Sequence, residues 1–367
     1  MRGVTRTGWA LGALAVSAFA IGTTEFVIAG LLPELAGDLG VSVPGAGLLV
    51  SGYALGVVVG APLVTWGVRR WPRKRALLAL LVLFVAGNGI SAGAQGMGVM
   101  LTGRVLAALC HGAFLGVGSL TAAEMVGEDK RARAIAGMFT GLTLSTVAGV
   151  PMGTAIGQHW GWRVTFGAVA VLGIVGMAGI ALLVPKMPAR EPGGEEKVFR
   201  GRQVWLALGM TALGFGAVYA PYTYIAPIME QVAGYPPGDL WWLLMVFGTG
   251  LVLGNWLGAK AADRWLMETI IVLLAALTGL LLAFQAWPSV GTLFALGVVA
   301  FAAVAAFNLG NATGAYLAGL AVTTQGYAAT SWVGAGMATA GLGIAVWSAA
   351  LTNRETDRNR DTPALAG

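Results

Sequence analysis

Apolar stretches of about twenty residues, divided by short polar segments, recur along most of the 367-residue chain. A hydrocarbon layer about 30 Å thick is crossed by roughly 20 helical residues. The pattern therefore predicts helices near 9–32, 45–66, 76–94, 98–126, 133–157 and 164–184, and further ones near 204–229, 240–259 and 268–286. Between the two groups lies a polar linker, Pro185 to Gln203, which includes Arg190-Glu-Pro-Gly-Gly-Glu-Glu-Lys197. Trp287-Pro288-Ser289 reads as a turn, apolar sequence resumes over about 290–322, and a last helix is expected near 330–351. These boundaries give an N-terminal six-helix bundle (1–184), a linker (185–203), a C-terminal bundle (204–353) and a polar tail (354–367).

Composition agrees with immersion in lipid. The chain is 57% hydrophobic and 10% charged, against about 25% charged in soluble domains, and its mean hydropathy is +0.78. Its 57 glycines suit close approach of helix backbones in a bilayer. Met1 to Ala20 has the basic start and apolar run of a signal peptide, but the run continues to about Leu32 without a convincing cleavage site, so it is read as the first span. A net charge of +6 would suggest anionic partners, yet its distribution has another meaning. With the N-terminus inside, 20 of the 22 Lys and Arg fall in cytoplasmic segments, notably Arg69 to Arg75, Lys130 to Arg133, Lys186 to Arg202, and the tail. That is the positive-inside bias. It predicts an inner (plasma) membrane protein with both termini cytoplasmic and no nucleic-acid surface. Many of the 13 Trp residues lie near span ends, Trp9, Trp66, Trp71, Trp160, Trp162 and Trp287 among them, as interfacial anchors do.

A tail on the cytoplasmic side requires an even number of spans. The stretch 290–322 must then cross twice, although two helices need about 40 residues plus a turn. Either these helices are short and tilted or residues are missing there, and the second reading is preferred.

The second helix of each half carries a related run: Gly56-Val-Val-Val-Gly60-Ala-Pro-Leu leading to Arg73-Lys74-Arg75, and Gly254-Asn-Trp-Leu-Gly258-Ala-Lys-Ala-Ala-Asp263-Arg264. Two such halves resemble the major facilitator superfamily. Phe19-Ala-Ile-Gly-Thr-Thr-Glu25-Phe-Val-Ile-Ala-Gly-Leu-Leu-Pro33, Arg104 with Cys110-His-Gly-Ala-Phe-Leu-Gly116, Gly149-Val-Pro151-Met-Gly153-Thr-Ala-Ile-Gly157 and Gly161-Trp-Arg-Val-Thr-Phe166 resemble helices one, four, five and six of the twelve-helix drug:proton antiporters. Tyr224-Ile-Ala-Pro227 and Phe307-Asn-Leu-Gly-Asn311-Ala-Thr-Gly-Ala315 extend the likeness, which is greatest to the sugar-efflux (arabinose efflux permease-like) and chloramphenicol-resistance exporters. The resemblance implies an all-α membrane fold of two pseudo-symmetric six-helix bundles, here shortened in the helix 10–11 region, and a monomer. It also implies proton-coupled export of a drug, sugar or metabolite, with the proton gradient in place of any cofactor. One departure is that no Asp or Glu lies between Asp38 and Glu124, which puts a charge-paired gate in the first half in doubt.

Glu25 is the sharpest chemical signal. A carboxylate inside the hydrocarbon costs at least a few kcal/mol and is functional by default. Arg104 is its expected partner, because at 1.5 Å per residue both lie roughly 10 Å below the outer ends of their helices. The pair either couples transport to protons or fixes helix packing. His111 follows on nearly the same face as Arg104 and is a proton relay or a packing residue. Glu124 is expected to pair with Lys130, Arg131 or Arg133. Gly137, Gly141, Ser145, Gly149, Gly153 and Gly157 recur every four residues and predict one smooth ridge for a packed helix, with Pro151 bending it. By the resemblance, Gly149, Pro151, Gly153 and Gly157 are the antiporter motif. Arg73, Lys74, Asp263 and Arg264 are candidates for a cytoplasmic gate. Tyr219, Tyr222, Tyr224, Asn255, Asn308 and Asn311 are candidates for the substrate cavity, or else interhelical hydrogen-bonding groups.

Two histidines and one cysteine cannot make a zinc constellation at the usual spacing, and no Gly-rich phosphate-binding Lys motif occurs. A membrane-embedded enzyme is therefore the least favoured class. An importer or facilitator on the same fold, or a transport-impaired variant, remains the alternative. Substrate identity is not written in these residues.

Overall fold

The computed structural model describes residues 2–187, 202–262 and 266–299, and position 343. Asp263, Arg264, Asn308, Asn311, most of the linker and all but the start of 290–322 lie outside the described residues, as does the side chain of Asn255. The described part is helical throughout, and seven of its helices are long and apolar enough to cross a membrane.

The first span is α1 (Arg2–Phe26), a 3-10 segment (Val27–Leu31) and α2 (Leu32–Asp38). Single helices make the next three spans: α3 (Val43–Val68), α4 (Arg73–Ala92) and α5 (Met97–Glu124). Ser42 starts α3 as its N-cap, accepting from the Gly45 N–H at 3.1 Å. The fifth span is α6 (Arg131–Leu144), a π-helical segment (Ser145–Gly149) and α7 (Val150–Trp160). Gly161, at φ +89°, then turns the chain in one residue into α8 (Trp162–Leu183); a side chain there would be strained. The second half contains α9 (Arg202–Thr223), the short α10 (Ile225–Pro227) with a π-helical turn (Ile228–Val232), α11 (Leu240–Ala262), α12 (Leu266–Ala286) and α13 (Val290–Val299). The expected turn at Trp287-Pro288-Ser289 is present, with Ser289 Oγ accepting from the Thr292 N–H at 3.2 Å.

The internal repeat has a packing counterpart. A Cβ on Gly56 or Gly60 of α3 would strike Ala108 or the Leu109 backbone of α5. One on Gly250 or Gly254 of α11 would strike the backbone of Phe294 or Val298 in α13. In each half the second and fourth spans thus touch backbone to backbone through glycines, as membrane helices do where small residues align.

Polar contacts assign the two ends of the bundle. At the basic end Arg73 meets Glu124 at 2.6 Å and Lys74 Nζ donates to the Val184 carbonyl at 2.7 Å, joining α4, α5 and the exit of α8. Glu124 therefore pairs with a residue 51 positions away and not with its near neighbours in sequence; Arg131 turns instead to Glu128 at 3.1 Å. At the far end Arg163 reaches Asp38 at 2.9 Å and the Ala94 carbonyl at 2.9 Å and 3.2 Å, while the Trp162 indole N–H donates to Asp38 at 3.0 Å. Trp162 is fully buried, so it is a core tie and not an interfacial anchor. Trp9, Trp66, Trp160 and Trp287 do stand exposed.

The two halves meet at the far end. Gly30 lies against Leu244, Gly47 against the Tyr224 hydroxyl, and Gly248 of α11 against the Thr146 backbone in the fifth span. Gln158 Nε2 donates to the Pro237 carbonyl at 2.9 Å. Along one face of the first span, Gly8, Gly12 and Val16 are exposed, whereas Phe26 and Gly30 farther along are buried under the second half. Among the described residues, the contacts between the halves run from the middle of the spans to the far end.

Candidate functional site

Three ionisable side chains converge inside the bundle: Glu25 is 4% exposed, Arg104 1% and His111 3%. Each comes from a different part of the local packing. α1 ends at Phe26, where the chain tightens into the 3-10 segment, so carbonyls of its last turn lose their helical partners. Arg104 of α5 supplies donors to that break, bonding the Thr24 carbonyl and, at 3.4 Å, the Glu25 carbonyl. Its guanidinium also lies 4.1 Å over the Tyr53 ring, a cation–π contact strengthened by the absence of water. The equal depth expected for Glu25 and Arg104 holds, and the guanidinium grips the main chain at Glu25.

His111, two turns along α5, faces the carboxylate, with Nε2 3.8 Å from Glu25 Oε2. Its other nitrogen, Nδ1, is 3.1 Å from the Tyr53 hydroxyl of α3. Glu25, His111 and Tyr53 so form a line of exchangeable groups across three spans. Behind them, Thr24 Oγ1 donates to Asn88 Oδ1 of α4, whose amide donates to the Phe84 carbonyl at 2.9 Å. Thr24, Tyr53 and Asn88 were not singled out from the sequence. The available signal was a polar atom inside an apolar run, which in lipid needs a partner.

The second half covers the site with aromatic rings. Phe26 meets Tyr219 and Tyr222 at centroid distances of 5.8 Å and 6.0 Å, and Tyr222 stacks on Phe247 at 5.0 Å. The Tyr222 hydroxyl donates to the Phe26 carbonyl at 3.4 Å. Tyr219, Tyr222 and Tyr224 are buried in this seal between the halves, Tyr224 completely, against Gly47 of α3. Arg73 and Lys74 bind within the first half, to Glu124 and Val184. Glu124, at the end of α5, supplies the acid that the α3–α4 loop lacks.

The helix-five ridge packs on the first span. Gly141 lies on the Ala15 carbonyl, Ser145 on Gly22, Gly149 on Thr23, Gly153 on Val27 and Gly157 on Leu31, whereas Gly137 faces open space. A strict four-residue repeat cannot stay on one side of a straight α-helix, because it drifts by about 40° per step at 3.6 residues per turn. The wider π-helical segment 145–149 falls midway along the ridge and counters the drift. Pro151, which has no N–H to continue an α-helical ladder, follows directly.

Seven helices long and apolar enough to cross a membrane, with a buried ionisable cluster among them, fit a polytopic membrane transporter. The Major Facilitator Superfamily profile matches residues 14–306, and the chain belongs to that superfamily. It is 37% identical to the uncharacterized MFS-type transporter YtbD of Bacillus subtilis (strain 168) over 382 residues, covering 94% of this chain and 96% of the relative. It is 38% identical to the inner membrane transport protein YdhP of Escherichia coli (strain K12), covering 90% and 93%. To the chloramphenicol resistance protein of Streptomyces lividans it is 40% identical, covering 68% and 66%. Among solved structures, a D-xylose-proton symporter shares the fold with a TM-score of 0.71 at 14% identity, covering 92% of this chain and 96% of that one. The chain is a transporter and not an enzyme.

Proposed function

We propose that this protein exports a small molecule in exchange for protons across the inner membrane by alternating access, acting as a monomer with both termini in the cytoplasm. The observation that carries this reading is Glu25, buried inside the bundle beside His111 and joined through its own main chain to Arg104. A buried carboxyl that exchanges a proton as water reaches it is a coupling device. The contacts between the halves lie away from the basic loops, so by the positive-inside bias a cargo to be exported enters between the halves from the cytoplasm. Arg104 holds carbonyls of the first span. The Arg104 charge and His111, 3.8 Å from the carboxylate, both feel the proton, and the Glu25–His111–Tyr53 line carries the change toward α3. The resistance protein among the relatives makes chloramphenicol the first cargo to try, ahead of sugars and other metabolites.

Inverted or reconstituted vesicles with an imposed proton gradient test this reading. Glu25→Gln should abolish gradient-driven accumulation of the cargo while leaving cargo exchange down its own gradient. Undiminished, gradient-dependent transport by that variant would remove Glu25 from the mechanism.

A further inference from the structure

Thr24, the residue before Glu25, is gripped at two points. Ser17 and Thr23 of α1 spend their hydroxyl hydrogens on their own helix, donating to the Ala13 carbonyl at 2.9 Å and the Phe19 carbonyl at 2.8 Å. The Thr24 hydroxyl instead donates across to Asn88 Oδ1 of α4. The far end of the amide fixes that assignment: Asn88 Nδ2 donates to the Phe84 carbonyl at 2.9 Å, and a carbonyl only accepts. Both side chains are buried, Thr24 completely. The Thr24 carbonyl is taken meanwhile by Arg104 of α5. Asn88 and Arg104 each stand beside a glycine of the α4–α5 contact. A Cβ on Gly87 would strike the Ala107 nitrogen and the Gly103 carbonyl, and one on Gly103 would strike the Gly87 carbonyl. With backbone against backbone, the two grips keep a fixed spacing, and together they hold the side chain and the main chain of one residue.

We propose that Asn88 is a positioning residue for Glu25. By holding the Thr24 hydroxyl it fixes the turn whose carbonyls occupy Arg104, and so sets where the Glu25 carboxyl stands relative to Arg104 and His111. The inference rests on Glu25 as the coupling group. Without the Asn88 bond the turn can slip and its carbonyls leave the guanidinium. The freed donors then turn to the carboxylate, among them the Nε–H, which is buried without an acceptor. An opposite charge brought closer favours the ionised carboxyl, so the proton is given up at lower pH. The other titratable groups around this point are His111 of α5, Tyr53 of α3, and Tyr219 and Tyr222 of the second half. Cys110 of α5 donates its thiol hydrogen to the Ala107 carbonyl at 3.1 Å.

Infrared difference spectra of the full chain in nanodiscs follow protonated carboxyls by their C=O stretch through a pH titration. The band missing from Glu25→Gln is that of Glu25. In Thr24→Val, and separately in Asn88→Leu, its midpoint should fall by about one pH unit, a tenfold loss of proton affinity. Combining the two should add nothing, since both remove the same bond. Thr24→Ser keeps the hydroxyl and should keep the original midpoint. Glu124→Ala, which weakens the first half at its basic end, controls for lost stability and should leave the midpoint alone. A midpoint that stays or rises in both Thr24→Val and Asn88→Leu, or that Glu124→Ala moves as far, overturns the positioning role while leaving Glu25 as the coupling group. If Glu25→Gln removes no titrating band, the coupling role of Glu25 falls and this inference with it.

Discussion

Replacing Gly47 by alanine should shift the protein between its two accessible states while leaving the fold of each half intact. The new Cβ would press on the Tyr224 hydroxyl and lie 3.1 Å from its Cζ. Tyr224 is fully buried in the seal, so its ring has little room to withdraw. Overpacking of this kind costs about 1–3 kcal/mol. Gly47 and Tyr224 belong to opposite halves, so parting the far end relieves the whole of that cost. The open-to-closed ratio should rise by about 5- to 150-fold, the range that 1–3 kcal/mol represents. Labelling of Gln95→Cys by a membrane-impermeant maleimide measures overall exposure, and the spin-label distance across the far end measures the ratio itself. Gly87→Ala is the control. Its Cβ would strike the Ala107 and Gly103 backbones of α5, within the same half, so it should lower thermal stability without moving the ratio. Equal shifts from both substitutions, or none from Gly47→Ala, would refute the assignment of Tyr224 to a seal that exists in one state only.

Arg104→Lys keeps the charge but loses the planar fork that bonds two carbonyls and lies on Tyr53; losing one charged hydrogen bond costs about 1.5–3 kcal/mol, and transport in vesicles should fall more than melting temperature does. Glu124→Ala leaves the nearly buried Arg73 guanidinium without its carboxylate and should destabilise the first half by about 1–3 kcal/mol, with Glu124→Gln recovering part of the loss in a thermal-shift assay.

Helix positions were legible because hydropathy answers to membrane thickness: the expected 76–94 and 164–184 are Arg73–Ala92 and Trp162–Leu183. The interruptions in spans one and five were not, since a 3-10 or π-helical turn is chosen by the neighbour it must fit. The same limit applied at the site. Helical rise alone brought Glu25 and Arg104 to one depth, but it assumed an unbroken helix. The acceptors that Arg104 finds are carbonyls exposed by the break after Phe26. Glu124 was assigned to nearby cations because sequence distance is visible and spatial distance is not; Arg73 lay across the turn of another helix pair. Trp162 looked like its fellow indoles until Asp38 claimed its N–H.

The π-helical segment Ser145–Gly149 also fixes how this transporter tolerates changes of length. Each residue added or removed there turns everything beyond it by about 100°. Deleting one would swing Gly149, Gly153 and Gly157 off Thr23, Val27 and Leu31 and bring the bulkier Val150, Thr154 and Gln158 round toward the first span. The five residues act as a vernier between two rigid rods, and the reading frame of the bald edge depends on their number more than on their identity.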